Sequence, residues 1–298
     1  MSKPKPNDEL VFLPLGGSNE IGMNFNLYGY GPPHDRKWIV VDLGITFGDQ
    51  TTPGVEVILP DPTFMEQNAD RLLGIVLTHA HEDHIGAVAH LWPRFKAPIY
   101  ATPFTAFILR EKLREAGLLD EAEITIVPLG GTVELGPFSI ELITLTHSIP
   151  EPNGMAIKTP LGTILHTGDW KIDPEPLLGP VTDVDAIRRL GDEGVLAMVC
   201  DSTNVFVDGT AGSEAEVRVA LHALVGQLTG KVAVACFASN VARMESAIVA
   251  AQANDRRVCL VGRSMHRMTA AAKSVGILAD AEPFVSDSEA GFFPDDKI

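Results

Sequence analysis

Short apolar runs separated by turn residues dominate the first two thirds of the chain. Val11–Leu15, Trp38–Leu43, Leu73–Leu77, Pro98–Ala101, Ile124–Val127, Phe138–Leu145, Met155–Lys158 and Thr163–His166 each read as a strand. Helical spacing is confined to His84–Leu91 and Thr105–Ala116. Pro160, Leu161 and Gly162 mark the turn of a hairpin between the last two strands. Strands this short and numerous, with few helices between them, predict two packed sheets rather than one parallel sheet. Pro174–Asp192, rich in Pro, Gly and Asp, reads as a loop or short helix leading to a strand at Val195–Cys200.

The rhythm then changes to alternating units. Glu214–Leu228 reads as a helix, Val232–Phe237 as a strand, Val241–Asn254 as a helix, Val258–Val261 as a strand and Ser264–Val275 as a helix. Such alternation predicts a parallel sheet with crossover helices, and hence a second domain. The expected division is 1–204 and 205–298. Asp280–Ile298 is acidic and broken by Pro283 and Pro294, which predicts a poorly ordered tail.

Composition narrows the class. A chain of 298 residues that is 45% hydrophobic can bury a substantial core. No apolar stretch reaches the roughly 18 residues of a spanning helix. Met1–Leu10 is polar and proline-containing, unlike a secretory or targeting segment, so a cytoplasmic location away from membranes is expected. Cys200, Cys236 and Cys259 are odd in number and widely spaced, which predicts buried reduced thiols inside strands. The formal charge of −16 opposes indiscriminate nucleic-acid binding. From Arg218 to Lys273, however, eight basic residues face only Glu245 and Asp255, so a local basic face or an ordinary solvated helix surface are both open.

The densest chemistry is the string Thr-His-Ala-His-Glu-Asp-His from Thr78 to His84. It follows an apolar strand and precedes a helix, so imidazoles and a carboxylate converge from a single turn. Zinc favours such nitrogen and oxygen donors, and manganese accepts them too. His147 and Asp169 each follow an apolar run and are candidate donors to the same centre. There is no Gly-x-Ser-x-Gly elbow, no phosphate-cradling P-loop and no Gly-x-Gly-x-x-Gly fingerprint.

In order and identity, Asp42, the His79–His84 run, His147 and Asp169 resemble the motifs of the metallo-β-lactamase fold superfamily. That resemblance implies an α/β (α+β) chain with an αββα sandwich and a dinuclear zinc site. Within it, His79, His81 and His147 would hold one metal, Asp83 and His84 the other, and Asp169 both, with Asp42 as a supporting residue. LGGSNEIG from Leu15, THSIPEP from Thr146, LHTGDWKID from Leu165 and CDSTN from Cys200 look like ribonuclease J, a member of the β-CASP nuclease group. FASNVARMES and VGRSMHRM resemble the opening of that group's inserted domain. In the family the insert continues beyond the equivalent of Ile298, so the chain looks like an N-terminal half carrying a partial β-CASP domain.

The resemblance implies hydrolysis of RNA phosphodiester bonds in a single strand by a zinc-bound hydroxide that Asp83 and Asp169 orient, impaired by truncation. Phe47 could stack on a base or belong to the core. Ser239, Asn240, Arg243 and Arg263, at strand ends, could contact phosphates or merely cap helices. Two other classes stay open: a small-molecule hydrolase of the same fold (thioesterase, lactonase or β-lactamase), and an inactive metal-binding fragment.

Overall fold

Apolar runs that are buried at nearly every position, such as those of Lys37–Val41, Leu72–Val76 and Asn153–Thr159, build two sheets around a shared core. The computed structural model describes residues 3–298; Met1 and Ser2 of the polar opening segment lie outside the described residues. The chain divides into two units, the first comprising Met1–Leu145, Glu151–Trp170 and Asp183–Val207, the second Thr146–Pro150, Lys171–Thr182 and Asp208–Ile298.

In the first unit the chain runs β1 (Glu9–Gly16), β2 (Phe25–Gly31), β3 (Lys37–Val41), β4 (Thr46–Phe47), β5 (Val57–Ile58), α1 (Thr63–Glu66) and β6 (Leu72–Val76). It continues through α2 (Glu82–Ile85), α3 (Val88–Phe95), β7 (Ile99–Ala101), α4 (Pro103–Glu115), β8 (Ile124–Ile126), β9 (Thr132–Leu135) and β10 (Phe138–Thr144). The hairpin β11 (Asn153–Thr159) and β12 (Gly162–His166), α5 (Val184–Glu193) and β13 (Ala197–Val199) complete it. One sheet has the order β1-β2-β3-β6-β7-β8, the other β13-β12-β11-β10-β9, and β4 pairs with β5 alone.

Tyr28, Ile39, Val41 and Val76 of the first sheet and Phe138, Ile140, Met155 and Ile157 of the second share one buried cluster, which is the layer between the sheets. On the opposite face of β2, Phe25 stacks on Phe95 of α3, with ring centroids 6.1 Å apart. The amphipathic α5 lays Ala186, Ile187 and Leu190 on Ile143, Leu145 and Ala156, covering the outer face of the second sheet. Helices outside and two sheets inside make an αββα sandwich, the fold class expected from sequence.

The sequence reading has no strand at β2, although it is buried at every position. Asn26, Gly29 and Gly31 look like turn residues, yet Gly29 is required by packing: a Cβ there would lie 2.6 Å from the ring of Trp38, its partner on β3. The expected helix His84–Leu91 is interrupted at Gly86 and Ala87. Asn24 N takes the Asp83 carbonyl at 3.0 Å, Leu43 N takes that of His84 at 2.7 Å, and Ala87 N donates to Leu43 O at 3.0 Å, which diverts these groups from a continuous ladder.

The second unit is helical: α6 (Glu214–Gln227), α7 (Val241–Ala253), α8 (Arg263–Ser274) and α9 (Asp287–Ala290). A reciprocal capping box between Ser213 and Glu216 starts α6, and the Asn240 side chain caps α7. The strands expected at Val232–Phe237 and Val258–Val261 do not form. A strand exists only through a ladder partner, and these runs make scattered bonds, among them Val232 N to Ile298 O at 3.2 Å and Val285 N to Val258 O at 2.8 Å, with an isolated bridge between Cys259 and Val285. The same bonds, with Arg256 Nη1 donating to Ile298 O at 3.1 Å, fold back the tail that composition marks as disordered. The cysteines are half-buried and free, with none inside a strand; Cys200 lies one residue past β13.

Candidate metal centre

The histidine run sits where β6 stops, and the backbone around it is clamped from three sides. Asn24 N donates to Asp83 O at 3.0 Å, while Leu43 N and Ile45 N take the carbonyls of His84 and Glu82. The clamp passes so close that a Cβ on Gly44 would lie 1.6 Å from Asp83 O. Gly168, at φ +57°, lets the loop after β12 approach Thr78, where a Cβ would come within 3.2 Å.

Asp42, fully buried, organises the interior side. One carboxylate oxygen accepts from Thr78 N at 2.8 Å; the other accepts from the Thr78 hydroxyl at 2.8 Å and faces His84 Nδ1 at 2.7 Å. With Nδ1 committed to Asp42, His84 Nε2 turns to Asp83 Oδ2 and Asp169 Oδ1, each 3.4 Å away. His79 Nδ1 lies 3.0 Å from the Thr78 hydroxyl, and its Nε2 lies 3.0 Å from His81 Nδ1. Donor atoms of His79, His81 and Asp169 lie within 4.8 Å of one another, as do those of Asp83, His84 and Asp169. Asp169 therefore belongs to both groups.

The electrostatics call for a cation. Burial alone would push the His84 imidazole towards neutrality, but Asp42, Asp169 and Asp83 outweigh it and hold its pKa well above the ordinary histidine value. Burial likewise raises the Asp83 carboxyl, and the His84 contact overrides it and brings its pKa down. Two imidazole nitrogens facing each other at 3.0 Å, and a buried imidazole among three carboxylates, form a donor set that a divalent ion satisfies better than protons do. The residues fit such an ion.

The first unit thus brings together His79, His81, Asp83, His84 and Asp169. His147 lies in the Thr146–Pro150 segment, grouped with the second unit. That segment is a loop between β10 and β11, closed at its base by Leu145 N donating to Pro152 O at 3.1 Å, and next to it Asn153 N donates to Thr78 O at 3.2 Å. Phe47 is 62% exposed on β4, so it is not a core aromatic. In the second unit Asn240 Oδ1 accepts from Arg243 N at 2.9 Å, the Arg243 guanidinium lies 3.3 Å from Glu214, and Ser239 and Arg263 flank the starts of α7 and α8. Of the basic run, Arg218 pairs with Glu245, Arg257 with Glu282, and Arg256 caps backbone carbonyls, so much of its charge is spent internally.

Sequence reasoning passed over Thr78, Asn24, Tyr28 and His166. His166 carries the signal applied to His147, a histidine ending an apolar strand. It is 4% exposed, its Nδ1 lies 2.8 Å from the Tyr28 hydroxyl, and burial holds its pKa down to about 4. With Asn24, Asn26, His84, Asp169 and Asp201 it lines a cleft of about 70 Å³.

Residues 27–233 match the family described as the metallo-beta-lactamase superfamily, and residues 229–298 match "Ribonuclease J, beta-CASP domain". Proteins named ribonuclease J are 48% identical in Sinorhizobium meliloti, with 98% of this chain and 52% of that protein covered, and 34% identical in Thermus thermophilus, with 100% and 52% covered. In Mycolicibacterium smegmatis the identity is 41%, covering 95% and 50%. This chain spans about half the length of the curated relatives it matches. A crystal structure of a protein of unknown function from Enterococcus faecalis V583, 15% identical, shares the fold with a TM-score of 0.65 over 97% of this chain and 76% of that one.

Proposed function

This chain belongs to the metallo-β-lactamase superfamily and corresponds in sequence to the N-terminal half of ribonuclease J, and from that premise we propose that it is the metal-binding part of a ribonuclease hydrolysing single-stranded RNA. The observation that carries the reading is Asp169, whose carboxylate is shared by two separate groups of donors. His79, His81 and His147 would hold one divalent ion, and Asp83 and His84 a second, with Asp169 common to both. Zinc suits this mixture of imidazole and carboxylate, and manganese is the alternative.

When bound, the ions supply Lewis acidity at a phosphoryl oxygen and acidify water towards neutrality. Asp83 and Asp169 orient the attacking water by accepting its hydrogens. Asp42 and Thr78 keep the His79 and His84 rings aimed at the centre, and the exposed Phe47 stacks on a base of the strand. Ser239, Asn240, Arg243 and Arg263 contact phosphates of the same strand. The β-CASP match over 229–298 supports this reading over a small-ester hydrolase, which has no use for such a domain. A cytoplasmic location and a domain division near residue 204 go with the same proposal.

The test is cleavage of an end-labelled, 5′-monophosphorylated single-stranded RNA by the purified chain with added zinc or manganese. Cleavage that disappears in Asp83→Ala is the expected result. A folded, metal-loaded sample that leaves the RNA intact would overturn the reading for this chain.

A further inference from the structure

The Tyr28–His166 pair lies beside the metal centre and is not part of it. Tyr28 is fully buried, and the bond to His166 is the one hydrogen bond its hydroxyl makes among the described residues. A hydroxyl that accepted from Nδ1–H would leave its own proton unpaired in the core, a cost larger than the bond is worth. The hydroxyl therefore donates, Nδ1 accepts, and the proton of the neutral imidazole is placed on Nε2. No protein hydrogen bond to Nε2 is made among the described residues, and His166 lines the cleft that also holds Asp169. Asn26, 5% exposed, lines the same cleft, and its side-chain amide makes no hydrogen bond among the described residues. Two almost buried polar groups with open donors thus face one small space.

We propose that His166 Nε2–H and the Asn26 amide donate to a phosphoryl oxygen of the RNA next to the metal centre, and that Tyr28 is a positioning residue that fixes the His166 tautomer. This assignment rests on the ribonuclease reading for its ligand. The donors are neutral, so they bind an anionic oxygen without competing for the metals; of the two carboxylates lining the cleft, Asp169 would be shared with those metals and Asp201 Oδ1 accepts from Thr203 N at 2.9 Å. A neutral N–H to a charged oxygen accounts for roughly a tenfold to hundredfold effect on binding.

The test has a spectroscopic arm and a kinetic arm. In zinc-loaded protein labelled with 15N-histidine, two-bond proton–nitrogen correlation should show His166 as the Nε2–H tautomer, and inorganic phosphate should shift that nitrogen. Tyr28→Phe should mix the tautomers and weaken the phosphate response about tenfold, with metal content unchanged. His166→Ala should raise KM for RNA tenfold or more, and His166→Gln, which restores an amide donor near the Nε2 position, should recover most of the loss. Equal losses on 5′-hydroxyl and 5′-phosphate RNA would assign the contact to a strand diester; loss on 5′-phosphate RNA alone would assign it to the terminal phosphate. An Nδ1–H tautomer, or phosphate affinity unchanged in His166→Ala, would overturn the inference while leaving Asp83-dependent cleavage intact. Loss of that cleavage in the parent chain would instead sink the ribonuclease reading, and the phosphate shift would still be read independently.

Discussion

Asp42 Oδ2 lies 2.7 Å from His84 Nδ1, with both side chains buried and 42 positions apart in sequence. The second Asp42 oxygen accepts from Thr78 N, so one carboxylate fixes both the start of the histidine loop and the ring at its end. Asp42→Asn keeps the size and removes the charge that fixes the His84 tautomer. Metal affinity should fall by about 10- to 100-fold with the fold retained, read by competition against a chromogenic chelator. Unchanged affinity would show that the loop backbone alone aims His84.

Gly44→Ala tests the backbone clamp. The new methyl would sit 1.6 Å from Asp83 O, and the obstacle is main chain, which cannot rotate away. Stability should fall by at least about 3 kcal/mol, with metal binding lost alongside it. Chemical denaturation of the metal-free protein measures the first and elemental analysis the second.

Metal should stabilise the folded chain by mass action. At a free concentration of 100 times the dissociation constant, one site contributes about 2.7 kcal/mol. Thermal melts with zinc and then with excess chelator should separate accordingly, and the separation should shrink in Asp169→Asn. Superimposable melts would mean that no ion binds the native state.

Asp173, within the second unit, gives a prediction in acid. Burial at 1% exposure would raise its pKa; the amides of Glu214 and Glu175, the Ser213 hydroxyl and Lys171 outweigh burial and hold it at about 2, below the ordinary 3.8. The folded-state pKa is depressed, so the carboxylate adds stability of order 2 kcal/mol that is present above about pH 4 and lost as pH falls through about 2. Asp173→Asn should therefore be less stable than the parent at neutral pH and converge with it in acid. Parallel curves across that window would remove the carboxylate from the account.

Phe47→Ala separates surface from core. At 62% exposure the ring contributes little to folding, so the melting midpoint should hold while RNA binding weakens by about 1–3 kcal/mol, one stacked base. A binding isotherm by fluorescence anisotropy reads the change; a fall in midpoint without a fall in affinity would return the ring to a structural role.

Runs with a clean apolar pattern were legible: the hairpin of β11 and β12 and the strand before the histidine loop stand where the sequence puts them. β2 was not, because Gly29 answers to the Trp38 ring across the sheet, a demand written in another strand. Val232–Phe237 has the composition of a strand and no ladder, since composition reports the residue's preference and not the presence of a partner. At the site, ligand types could be read from spacing. Tyr28 and Asn26 could not, as their roles arise only where β2 passes the end of β12. Charge counting over Arg218–Lys273 left a basic face and a solvated surface both open, and it does not see that Arg243 and Arg257 are paired with Glu214 and Glu282 outside the counted segment.

The loop that carries the ligands is gripped by the main-chain amides of Leu43 and Ile45, and by both the main-chain amide and the side-chain amide of Asn24. Every residue except proline supplies the same main-chain amide. Drift at Leu43 and Ile45 can therefore leave the ligand geometry almost untouched, while Gly44 between them tolerates no addition at all. The centre is robust to mutation along its supports and brittle at one atom.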